Sequence, residues 1–119
     1  MDRAGLELAF AGATIAWAES ALELTDPEIA QTLGVDRKTV YRWRQHESVP
    51  APEQRRRMEK LSELRWLLAH AFRSPEIGKR WLHQAVPGLR GRTPLSVLAE
   101  GDLDAVLGVL ATHVSGAHV

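Results

Sequence analysis

Between residues 4 and 22, Leu6, Phe10, Ala13, Trp17 and Ala21 recur at spacings of three and four, a stripe that predicts a helix facing a core. Leu8, Ala11 and Ile15 widen that stripe, so this helix is expected to be covered on two sides or to lie in a dimer contact. Pro27, beside Asp26 as a cap, marks the first turn of a second helix. The next stretch, EIAQTLGVDRKTVYRW from Glu28 to Trp43, organises the rest. Ile29, Leu33, Val35 and Val40 supply an apolar inner surface that Trp43 extends. Ala30 is small enough for two helices to cross closely, and Gly34 can take the positive φ that turns the chain. Asp36 is placed to cap the helix that follows. Two short helices joined by a tight turn, the second with cations on its outer face, form a helix-turn-helix. The second helix of such a unit is the one that enters the major groove of DNA.

The chain then breaks over Gln45 to Pro52, a short linker with Ser48 and two prolines. Met58, Leu61, Leu64 or Arg65, Leu68 and Phe72 predict a long helix from Glu53 to Phe72. Trp66, Leu67 and Leu68 make its apolar surface wide, which suits core packing or an oligomer interface. Ser74 and Pro75 open another helix with Ile77, Trp81, Leu82 and Val86 on its buried side, ended by Pro87 and Gly88. Thr93 and Pro94 start a short helix to Ala99. Gly101 breaks it, and Asp102 caps a last helix whose Leu103, Val106, Leu107 and Leu110 face inward. The predicted fold is all-α: a helix-turn-helix domain over residues 1–50, then a long helix and a compact C-terminal helical unit with a short tail over residues 51–119.

Charge sharpens this division. The formal net charge is zero, but residues 36–92 hold fourteen cations against six acids, and no Lys or Arg follows Arg92. A basic middle between acidic ends suits a polyanionic partner and a second, different one. Arg37, Lys38 and Arg42 are the strongest candidates for reading base edges, because an arginine fork makes two hydrogen bonds to guanine. Thr39 is placed for a phosphate or a thymine methyl, Tyr41 for the backbone or for inward packing, and Arg44 and Gln45 for backbone contact. Of Arg55, Arg56 and Arg57, one or two can reach a DNA backbone.

Catalytic chemistry finds no foothold. The chain has no cysteine, and its five histidines form neither a HExxH nor a paired ligand set. There is no GxSxG elbow and no Gly-rich phosphate loop. No enzyme activity, metal or cofactor is expected. Neither a secretory leader nor a bilayer-spanning run is visible, so a cytoplasmic protein without a membrane partner is expected.

The segment WLHQAVPGLRGRTPLSVLAEGDLDAVLGVL, most specifically GRTPLSVLAEGDLDAVLGVL, resembles the toxin-binding domain of the Xre/MbcA/ParS antitoxin family. With Trp81 and the helix-turn-helix upstream, the resemblance covers nearly the whole chain in order. It implies a type II antitoxin that occludes the NAD pocket of a RES-domain, NAD-depleting toxin and, often as a complex, represses its own promoter; a homodimer on operator DNA is expected. It also implies a toxin-facing surface with Trp81, Arg92, Thr93, Pro94 and Leu95, and a tail, Val114, Ser115, Gly116, Ala117, His118 and Val119, that approaches the toxin's active site. The alternative is a stand-alone helix-turn-helix regulator whose C-terminal unit serves only dimerisation. A third reading is an assembly adaptor in which the helix-turn-helix binds protein.

Overall fold

The computed structural model describes residues 2–115. Regular structure among them is helical: α1 (Arg3–Ala21), α2 (Asp26–Leu33), α3 (Arg37–Arg44), α4 (Pro52–Ala71), α5 (Pro75–Leu82), a 3-10 turn (Pro87–Leu89), α6 (Pro94–Ala99) and α7 (Leu103–Ser115). A single antiparallel bridge, Val86 to Arg92, is isolated. None of these helices is long and apolar enough to cross a membrane.

Local chemistry sets most of the boundaries. Side-chain oxygens of Asp36, Ser74 and Thr93 accept from the backbone N–H three residues on and so start α3, α5 and α6. Asp102 does the same for α7, accepting from Ala105 at 3.2 Å. The cap of α2 is Thr25 rather than Asp26. Its hydroxyl accepts from the Glu28 N–H while Glu28 accepts from the Thr25 N–H, a reciprocal pair that leaves the Asp26 carboxylate free for other work. Gly34 ends α2 at φ 68°, with the Val35 N–H returning to the Ala30 carbonyl at 2.9 Å.

Two further expectations fail for physical reasons. α1 buries Ala11, Gly12, Thr14, Ile15 and Ala18, whereas Ala13 and Ala21 are exposed and Leu6 is 57% exposed. Apolar residues run all round this helix, so the stripe with the small Ala11, Gly12 and Ala18 wins because it lets α3 approach closely. α5 stops at Leu82 rather than at Pro87, because Val86 donates its N–H to the Arg92 carbonyl at 3.0 Å instead of extending the helix.

Ile15, Leu22, Ile29, Leu33, Val40 and Trp43 meet in the helix-turn-helix part and continue into Met58, Leu61 and Leu64 of α4, then Val97, Leu98 and Leu110. Each large side chain so buried contributes roughly 1.5–3 kcal/mol. A polar seam runs beside this core. The Thr32 hydroxyl, 1% exposed, lies 2.7 Å from the Leu98 carbonyl and 2.8 Å from its own-helix Glu28 carbonyl. Gln31 donates to the Glu100 carbonyl at 3.4 Å. Gly101, at φ 93°, sits so near that a Cβ there would lie 3.0 Å from the Gln31 carbonyl. Lys60 and Asp104 pair across α4 and α7 at 2.8 Å.

Candidate nucleic-acid interface and C-terminal surface

α3 is an eight-residue helix whose inner side is fixed by Val40 and Trp43, both fully buried. With these inside, helical spacing turns Arg37, Lys38, Tyr41 and Arg42 outward, and all four are exposed. Arg37, Lys38 and Arg42 make no ion pair with any described residue. Three cations outside any ion pair among the described residues, standing along two turns of one face, form a surface that attracts polyanions. Tyr41, for which the sequence leaves two orientations open, points outward and is 56% exposed.

Thr39 and Arg44 both have partners within the fold. The Asp36 carboxylate accepts from the Thr39 N–H at 2.8 Å and from its hydroxyl at 2.7 Å. These bonds, chiefly the one from the side chain, hold the Asp36 carboxyl below the usual carboxylate range. Arg44 follows Arg37 by two turns and stands at the end of α3 that faces α1 and α2. It donates to Asp26 at 2.6 and 3.1 Å and to Glu19 at 2.7 Å, tying α3 to α2 and α1. The hydrogen bond from Arg44 lowers the Asp26 pKa, and Asp26 in turn raises that of Arg44. A guanidinium already facing two carboxylates has little charge left for a phosphate. Gln45 caps the C-terminal end of α3 and is exposed.

The three consecutive arginines of α4 separate. Arg55 pairs with Glu7 and lies 5.3 Å from the centre of the Phe10 ring, so it braces α1. Arg56 pairs with Glu53 and points to solvent. Arg57 lies across the turn: a Cβ on Gly34 would be 2.9 Å from its guanidinium. The place of Arg57 beside the turn has no local signal in the sequence, because only the packing of α4 against α2 brings it there.

On the C-terminal side, Trp81 is half-buried with its ring 5.6 Å from that of Phe72. Arg92 pairs with Glu100 at 2.6 Å and donates to the Leu89 carbonyl at 3.2 Å. The Thr93 hydroxyl accepts from the Ser96 N–H at 3.1 Å. Arg92 and Thr93 thus pin the loop and α6, with the Arg92 side chain still partly open to solvent. Val114 and Ser115 are exposed in the last turn of α7, and Gly116, Ala117, His118 and Val119 lie outside the described residues. Among the described residues no group of three His, Asp or Glu side chains is arranged to hold a metal ion.

This geometry defines a helix-turn-helix protein with a second helical unit fused to its back. Residues 13–49 match the homeodomain-like domain, and residues 67–113 match the Antitoxin Xre/MbcA/ParS C-terminal toxin-binding domain. Residues 67–113 are thus similar to the toxin-binding domain of Xre/MbcA/ParS antitoxins, and residues 13–49 hold the helix-turn-helix that precedes it. The fold is similar to a chain of the crystal structure of the M.tuberculosis MbcT–MbcA toxin–antitoxin complex. The TM-score is 0.59 and the identity 22%, over 91% of this chain and 96% of that one. No curated protein sequence matches the chain.

Proposed function

We propose that the chain is the antitoxin of a two-gene system. As a homodimer it binds operator DNA through α3 and represses its own operon, and through its C-terminal part it holds a RES-domain, NAD-depleting toxin inactive. The observation that carries this reading is the pairing of a free cationic face, Arg37, Lys38 and Arg42, with the domain matched at 67–113 behind it. Those three residues reach base edges, Tyr41 and Gln45 meet the sugar–phosphate backbone, and Arg57 adds a phosphate contact beside the turn. Thr39 and Arg44 support recognition by fixing the start and end of α3. Trp81, Arg92 and Thr93 shape the toxin-facing surface, and the segment from Val114 to Val119 closes the toxin's NAD pocket. A cytoplasmic site of action follows from both partners, since DNA and NAD are reached there.

The test is to express the chain with the product of its neighbouring gene, co-purify them, and measure NAD consumption with and without this chain. Retention of the upstream DNA is measured alongside, over a range of salt. The expected result is a stable complex, suppressed NAD loss, and DNA retention that weakens steeply with salt as phosphate-bound counterions compete. Unchanged NAD loss in the complex removes the toxin assignment, and salt-independent retention removes the phosphate contacts.

A further inference from the structure

We infer that the cavity between α1, α4 and α5 is a binding site for a small aromatic carboxylate. The cavity holds about 300 Å³. That is the lower end of the roughly 300–1,000 Å³ of small-molecule sites, and about twice the ~150 Å³ that suffices to bind benzene. The inference goes beyond the proposed function, which stands or falls without it.

Three small residues open the space. Ala21 ends α1, Ala69 lies in the last turn of α4, and Gly78 is buried in α5, where a Cβ would already lie 3.4 Å from the Phe72 ring. Phe72 is extended at φ −128° and ψ 149°, so the chain leaves the axis of α4 and α5 closes the far side. The walls are apolar: Trp17 and Leu22 on one side, Leu68, Phe72 and Leu82 on the other. Phe72 is held in place by the ring of Trp81 at 5.6 Å and that of His113 at 5.2 Å. Two aromatic walls suit a flat ring, which can meet them edge-on or offset-stacked. Trp17 and Leu22 belong to the segment matched at 13–49 and the other three to that matched at 67–113, so a bound ring touches both parts of the chain.

The charges name the rest of the ligand. Arg65, Arg73 and Lys79 line the cavity, and among the described residues no carboxylate does. Lys79 is paired with Glu23 at 2.5 Å, so its charge is already met. Arg65 and Arg73 are exposed and enter no ion pair among the described residues. The Arg65 guanidinium stands 5.8 Å from the centre of the Trp17 ring, which sets its charge at the edge of the apolar wall. Ser74 and Pro75, which open α5, border the same space, so the positive end of that helix adds to the field. An apolar interior under two unpaired guanidiniums fits a ring that enters while its one carboxylate stays at the arginine forks. A cation is repelled there, and a neutral ring leaves the arginines unmatched.

Calorimetric titration of the full chain with naphthoate, and with naphthamide as its uncharged counterpart, tests this. The parent is expected to bind one naphthoate with a dissociation constant of about 1 mM or tighter, and naphthamide about tenfold more weakly. Naphthoate is also expected to raise the melting temperature, because it binds only the folded chain. Arg65→Met with Arg73→Met keeps the apolar stems, and is expected to weaken naphthoate about tenfold while leaving naphthamide unchanged. Ala69→Trp fills the cavity from α4 and Ala21→Trp from α1, and each is expected to abolish both ligands, so a folding failure of one leaves the other as the test. The assignment is overturned if the parent shows no saturable binding, or if naphthamide binds as tightly as naphthoate. It is equally overturned if a folded tryptophan variant binds like the parent. If the double arginine variant keeps naphthoate but loses the neighbouring gene's product, the rim serves a protein partner and the assignment is again overturned.

Discussion

Replacing Thr32 by valine removes one oxygen from the seam between α2 and α6 while keeping the shape of the side chain. The hydroxyl has a single hydrogen, and its 2.7 Å approach to the Leu98 carbonyl crosses between elements far apart in sequence. Losing it does not orphan that carbonyl, which still accepts from the Gly101 N–H at 2.9 Å. The cost is therefore that of one net buried hydrogen bond, about 1 kcal/mol, rather than the 1–3 kcal/mol of a stranded polar group. For a chain of this length that lowers the melting temperature by about 4 °C. Thr32→Ser makes the converse change, keeping the hydrogen bond and removing a methyl, and is expected to cost a similar ~1 kcal/mol through reduced burial. Urea unfolding followed by tryptophan fluorescence and by circular dichroism measures both. A loss above about 3 kcal/mol for the valine variant means that Leu98 has no adequate second partner. No loss at all means that the hydroxyl satisfies only its own helix. Two separated unfolding transitions in the parent refute the single continuous core on which the estimate stands.

Arg37→Ala with Arg42→Ala is expected to abolish specific promoter retention, at about 1–3 kcal/mol for each arginine–base pairing removed, and to leave toxin neutralisation intact. Equal impairment of both activities in a folded variant refutes separable surfaces. Arg44→Met is expected to cost about 1 kcal/mol near neutral pH, since two partly exposed pairs are broken. Asp26 has a lowered pKa in the folded state, so this contribution is complete above its unfolded value of about 3.9 and fades as pH falls through the folded value. The parent and variant stability curves should therefore converge in acid, and parallel curves rule the ion pair out as the cause. Deleting residues 114–119 is expected to weaken toxin inhibition in the NAD assay and to spare DNA retention. Full inhibition by the truncated chain removes the tail from the proposal.

The parts of this fold that are legible in the sequence are those set within one or two turns. Asp36, Ser74, Thr93 and Asp102 each act on an N–H three residues away, and that local chemistry marks each helix start. The outward set Arg37, Lys38 and Arg42 follows from the helical period once Val40 and Trp43 are placed inside. What stays hidden depends on residues far apart in the chain. Nothing near Arg44 announces Glu19 or Asp26, and nothing near Thr32 announces the Leu98 carbonyl. Likewise α1 carries too many apolar residues for periodicity to choose its inner face; only the surface of α3 chooses it. Glu28 is the partial exception, because Thr25 followed three residues later by glutamate is a visible capping pair, yet the adjacent Pro27 points to Asp26 instead.

The tether on Arg44 has an informational consequence for the proposed operator. α3 has eight residues, about 12 Å of axis, and its final arginine is already spoken for. Its remaining cations can sample only about three or four base pairs at the 3.4 Å step of the duplex. So short a word recurs throughout any genome, and one protomer alone could not tell its promoter from background. Discrimination must come from reading the word twice at a fixed separation, which makes spacing between half-sites as much a part of the address as the letters themselves.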